Sequence, residues 1–155
     1  MKNVLKNTIL FVEGFCLYIT IEVLFRGYSF PLMGVVSGFS FVIIDKINSK
    51  ISWDIPIQIQ MLIGMGIITS GELLSGLFGL NILQIRMWDY THQWGNMFNG
   101  LICPLFSFIW YWLSLVSILL SDAINYYVFD EQPIPYYRIS KNKLLFRFPD
   151  KSKLF

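Results

Sequence analysis

Four apolar runs, at residues 8–26, 30–45, 56–80 and 101–122, constrain this chain more than any other feature. A helix needs roughly 20 apolar residues to cross the hydrocarbon of a bilayer. Three of the runs are of that order, and the second is shorter. Charged residues make up 14% of the chain and hydrophobic residues 55%, where soluble domains are about 25% charged. A soluble fold of 155 residues has too little interior to hide so much apolar surface. The expected fold class is therefore all-α: an integral membrane four-helix bundle over residues 1–129. The loop between helices 3 and 4 is long and could be re-entrant, dipping back into the membrane where protein or water satisfies its backbone. Residues 130–155 form a basic, aromatic tail. The first run carries Glu13 and Glu22, which the apolar region of a cleavable signal would not tolerate.

The charges are sorted along the chain. Lys2, Lys6, Lys46, Lys50, Arg138, Lys141, Lys143, Arg147, Lys151 and Lys153 flank the runs on one side of a four-crossing topology, and only Arg26 and Arg86 fall on the other. The positive-inside rule then places both termini in the cytoplasm of a multi-pass cell-membrane protein. A three-crossing topology would split the basic N-terminus from the basic tail. The tail, YYRISKNKLLFRF, mixes cations with Leu and Phe. It suits an anionic inner-leaflet surface as well as it suits plain solvent.

An ionisable side chain in the hydrocarbon costs several kcal/mol unless it is paired, protonated or hydrated. Glu22 precedes Arg26 by four residues, the favourable order for an ion pair on one helix. At about 1.5 Å rise per residue, Glu22 and Glu72 both lie in the outer halves of their helices. The loop that follows holds Arg86, Trp88, Asp89, Tyr90, His92, Asn96 and Asn99. One topology thus gathers Glu22, Arg26, Glu72 and these loop residues toward one outer polar layer. That layer is either a site for a cation, a proton or a polar solute, or an ion-pair network that fixes helix packing. Glu13, nearer the cytoplasmic end, is expected to be protonated or paired with a lysine in a structural or interfacial role. Trp88, Tyr90 and Trp94 are expected in an interfacial aromatic belt, and the Tyr126-Tyr127 and Tyr136-Tyr137 pairs in a second one. Gly34 and Gly38, spaced GxxxG-like, and Gly76 and Gly100 are candidate positions for close helix packing.

The chain has no phosphate-binding G-x-x-x-x-G-K-[ST] loop, no G-x-S-x-G and no H-E-x-x-H, so the nucleotide and hydrolase chemistries those motifs support are not expected. Ser70, His92 and Asp89 have no spacing that supports a triad. His92 is the one histidine, and no cysteine lies at ligand distance from it, so neither metal nor cofactor is expected. Cys16 and Cys103 both fall in apolar runs and read as small core residues. The expectation is a protein that is not an enzyme and binds no nucleic acid. Its partners would be the lipid bilayer and either a second copy or another membrane protein.

From Glu72 to Trp110 the sequence resembles the bacterial family named Putative ABC-transporter type IV, or CmpB-like. The likeness is carried by Glu72 and Gly76, by Trp88-Asp89-Tyr90, by Asn96 or Asn99 with Gly100 and Cys103, and by Trp110. Ile21-Glu22-Val23 in the first run and Pro31 with Gly34 in the second add to it. Tyr18-Ile19 stands where the family has Gly-Trp, and Leu73 where it has an aromatic. The resemblance covers about residues 10 to 120 and implies transport. The function expected is a small transport-associated or channel-like component with an outward acidic site. The alternative is a membrane anchor, a regulator or a holin-like oligomeric pore.

Overall fold

Proline and glycine punctuate the apolar runs. Helix α1 (Lys2–Arg26) ends at Gly27, which is left-handed with φ 81° and returns its N–H to the Val23 carbonyl. Pro31 opens α2 (Pro31–Asp45) at a position whose N–H would find no partner in any case. A single turn, α3 (Ile47–Lys50), follows. Pro56 then precedes α4 (Ile57–Phe78), and Pro104 opens α5 (Pro104–Ala123). The last turns of α4 and α5 widen into π-helix over Gly79–Leu83 and Ile124–Val128. The computed structural model describes residues 1–153, without the side chains of Asn48, Ser49 and Lys153. Leu154 and Phe155, the end of the expected tail, lie outside the described residues.

Three segments are long and apolar enough to cross a membrane: Lys2–Arg26, Ile57–Leu83 and Pro104–Val128. Helix α2 has 15 residues, about 22 Å at the usual rise, short of the roughly 30 Å hydrocarbon core. It nonetheless joins the two ends of the molecule. Its first residues follow Arg26, and its last, Asp45, lies 3.7 Å from Lys6 at the start of α1. Lys6 also pairs with Glu131, beyond α5, at 2.9 Å. The beginning of α1, the end of α2 and the chain beyond α5 therefore share one end of the molecule.

Helix α1 packs on α2, α2 on α4 and α5, and α4 on α5. Lipid tails are as apolar as leucine, so helices in a membrane are held by close packing and hydrogen bonds rather than by escape from water. The α1–α2 seam shows this directly. A Cβ on Gly34 would lie 2.6 Å from the Phe15 ring, and one on Gly38 would lie 2.7 Å from both the Phe11 ring and its carbonyl oxygen. Ser37, on the same face, donates to the Gly14 carbonyl at 2.9 Å.

The all-α expectation is corrected in the tail. Strands β1 (Tyr136–Ser140) and β2 (Lys143–Arg147) form an antiparallel hairpin closed by Lys141-Asn142. Tyr, Ile, Leu and Phe fit a pleated surface, and Asn tolerates the turn. The hairpin docks through Tyr137, only 1% exposed, into a cluster with Ile44, Ile47, Ile57, Met61 and Ile118. Its hydroxyl donates to Asp122 at 2.7 Å. Of the tyrosine pairs expected in an interfacial belt, Tyr126 and Tyr137 are buried, and Tyr127 and Tyr136 are half-buried.

Candidate functional site

The connector after α4 leaves the helix through Gln84, φ 55°, and folds over the ends of the helices. It consists of turns and one isolated bridge, between Met97 and Ile102, so the re-entrant expectation finds no support in it. Met87, Trp88, Leu101 and Ile102 pack with Met33 as a second buried cluster. Each residue of Trp88-Asp89-Tyr90 has its own task. The Trp88 indole donates to the Leu101 carbonyl at 2.9 Å, and its ring sits where a Cβ on Gly76 would approach within 3.0 Å. Trp88 is therefore a buried anchor rather than a member of an exposed belt, whereas Trp94 is 86% exposed. Asp89 accepts from the Thr91 N–H at 2.9 Å and pairs with Arg86 at 3.2 Å. The Thr91 amide, then the Thr91 side chain, Arg86 and His92, hold its carboxyl below the usual aspartate range.

Tyr90 turns inward. Its ring stacks on Phe106 at 4.4 Å, and its hydroxyl donates to Glu72 Oε1 at 3.0 Å. Burial, and then the charge and hydrogen bond of Glu72, raise its phenol above the ordinary value. The tight passage that brings Tyr90 back over the helices depends on Gly100. It has φ +76°, and a Cβ there would lie 2.6–2.9 Å from Thr91 and Asp89; its carbonyl accepts the Tyr90 N–H at 2.8 Å.

Glu72 is 2% exposed. Its second oxygen accepts the Trp110 indole N–H at 2.9 Å. The donors come from the loop and from α5, so this one carboxylate ties three parts of the chain together. No Lys, Arg or His forms an ion pair with it among the described residues. Glu22 differs in having a counter-charge. It accepts from Tyr18 at 2.9 Å and from the Ser29 hydroxyl, and it pairs with Arg26 at 2.6 Å. Arg26 in turn donates to the Met87 carbonyl at 3.3 Å and lies over the Tyr28 ring. The two carboxylates are linked through rings, since Tyr18 lies 6.3 Å from Trp110.

The expected outer layer therefore divides in two. Glu22, Arg26, Glu72, Trp88 and Tyr90 pack at or beneath the loop. Arg86, Asp89, His92, Asn96 and Asn99 are exposed on it and serve the loop's own turns. Arg86 donates to the Asn99 carbonyl at 3.1 Å, and Asn96 donates to the carbonyls of Thr91 and Gln93. Tyr18, Ser29 and Trp110 join the buried group, although the sequence reading does not place them in the polar layer. The spacing of Tyr18 four residues before Glu22 was the available signal. Glu13 has one buried oxygen without a partner among the described residues; Lys6 and Lys46 pair instead with Asp45 and Glu131.

A second polar cluster lies at the opposite end. Asp45 ends α2, where the helix dipole disfavours a carboxylate. It is stabilised there by Lys46 at 2.8 Å, Lys6, and the Asn125 amide at 2.6 Å. Among the described residues no three His, Cys, Asp or Glu side chains converge as metal ligands would.

Comparison with known proteins adds one finding. The family model described as Putative ABC-transporter type IV matches residues 7–142. No curated protein and no solved structure matches the chain.

Proposed function

The chain belongs to the Putative ABC-transporter type IV family, and from that premise we propose that it is a small channel-like or transport-associated membrane component. Its polar site would be built on Glu72 and Glu22, with Arg26 as counter-charge and the Trp88-Asp89-Tyr90 loop as its cover. The observation that carries this reading is Glu72. It is a buried carboxylate inside a segment long enough to span a membrane, held by two neutral donors and by no cation among the described residues. Retaining an acid there without a counter-charge costs several kcal/mol, which favours a group that receives a proton or a small cation in its working cycle.

In this topology the helices cross four times, with α2 as the short member. The end bearing Lys6, Lys46 and the tail faces the cytoplasm, because ten of the twelve basic residues belong there. The Glu72 site faces outward. The protein is not an enzyme on this reading, and it works as a homo-oligomer or beside another membrane protein.

Proton or alkali-cation flux into proteoliposomes, read with a pH-sensitive dye, tests the proposal. The wild type should conduct above empty vesicles. Glu72→Gln, inserted to the same level, should lose at least about tenfold of that flux, one order of magnitude being about 1.4 kcal/mol of barrier. Unchanged flux in the variant would sink the reading. A second reading, an anchor or an oligomeric pore without a ligand site, is favoured by a different feature. An apolar groove of about 740 Å³ runs between α2 and α4, lined by Val36, Phe39, Ile43, Ile67 and Leu74 and by no carboxylate side chain among the described residues. Glu72→Gln should then lower the melting temperature and leave flux untouched.

A further inference from the structure

The outer strand of the tail hairpin breaks the usual rule for a strand facing water, which is to be polar. Every residue of β2, Lys143–Arg147, is exposed. Three of them in a row are large and apolar: Leu144 and Leu145 are each 53% exposed and Phe146 is 49% exposed. Lys141, Lys143 and Arg147 flank them, and among the described residues none of these three cations is in an ion pair. Four other cations near this end are paired: Lys6 with Glu131 and Asp45, Lys46 with Asp45, Arg138 with Asp54 at 3.0 Å, and Lys151 with Asp130; Lys2 and Lys50 are exposed but do not flank an apolar strand.

The position of the hairpin gives this pattern a meaning. Strand β1 bridges to Pro56, directly before α4 begins, and Tyr137 reaches Asp122 near the end of α5. The hairpin is thus held at the level where two membrane-crossing helices end. Aromatic rings collect at the same level: Trp53 lies 5.9 Å from Tyr136, Phe148 lies 5.9 Å from Tyr127, and Phe146 lies 5.6 Å from Phe148. Amphipathic rings favour the headgroup region of a bilayer.

We propose that the hairpin is a lipid-binding surface for the bilayer in which the helices sit. Leu144, Leu145 and Phe146 enter the boundary between headgroups and acyl chains, and Lys141, Lys143 and Arg147 bind the phosphates of anionic phospholipids. Charge complementarity selects this occupant, since three cations with no ion pair among the described residues, set around an apolar row, match an anionic interface. The proposal goes beyond the Glu72 site and does not depend on it.

Hydrogen exchange of the full-length chain in nanodiscs tests it, with discs of phosphatidylcholine alone or of phosphatidylcholine with phosphatidylglycerol. Amides of residues 141–148 should exchange about tenfold more slowly in the anionic discs, and high salt should remove much of the difference. The triple variant K141E/K143E/R147E should exchange equally in both, with α4 and α5 unchanged. If charge reversal frees the hairpin altogether, K141Q/K143Q/R147Q replaces it and should likewise show no dependence on lipid charge. Equal wild-type exchange in the two discs overturns the proposal, as does a lipid dependence that survives neutralisation of the three cations.

Discussion

Tyr90 and Trp110 show how one residue can serve two purposes. Each ring fills space against Phe106, and each polar tip satisfies one oxygen of Glu72. Tyr90→Phe keeps the ring and removes the donor, which leaves a buried carboxylate oxygen short of a partner. The expected loss is about 1–3 kcal/mol, read as a lower melting temperature in detergent. Trp110→Phe should behave alike, because the indole N–H is its donor. At the opposite end, burial and then the Asp122 charge raise the phenol of Tyr137. A phenol whose folded value lies above its unfolded value of about 10 contributes stability that is complete below that pH. The contribution is lost as pH rises toward the folded value. Detachment of the hairpin should therefore begin in the alkaline range above about pH 10, followed by hydrogen exchange of β1. Tyr137→Phe should be weaker at neutral pH and should lose this alkaline step.

Helix α1 depends on α2 for its packing. The share of α1 buried within the molecule is 11% of its most apolar window, and its seam with α2 is set by the absence of side chains at Gly34 and Gly38. Gly38→Leu would drive four carbons into the Phe11 ring and carbonyl. Part of that clash is with backbone, which cannot rotate away as a side chain can. The expected cost is about 1–3 kcal/mol or more, seen as a fall in melting temperature. Proteolytic release of α1 should precede that of α4 and α5. The loop between α4 and α5 is the other element whose form follows from small residues. Gly100 supplies the positive φ that lets the segments around Tyr90 and Leu101 close upon each other.

For the whole molecule, the contacts of Lys6 with Asp45 and Glu131 bring the ends of α1, α2 and α5 together. Arg26 and Met87 meet at the far end. The proposed four-crossing topology expects Lys2→Cys and Asn142→Cys to be labelled by an impermeant maleimide only from the cytoplasmic face, and His92→Cys only from outside. Labelling of Lys2→Cys and Asn142→Cys from opposite faces would refute it. Each should be read against the background of exposed Cys16 and buried Cys103.

Composition and apolar run length alone determined that the chain is a mostly helical membrane protein. Hydropathy is a local property, and the hydrocarbon core sets a length that any run either meets or misses. The Glu22–Arg26 pair was legible for the same reason, since a spacing of four is a statement about one helix. What only the tertiary structure decided were the pairings between distant segments. Tyr18 and Trp110 meet, Tyr90 reaches Glu72 while its neighbour Asp89 faces away, and the tail folds back as a hairpin onto α4 and α5. A loop's direction depends on backbone torsions at Gln84, Phe98, Asn99 and Gly100 and on which groups remain to be satisfied once the helices have packed. No local pattern in the sequence records that information.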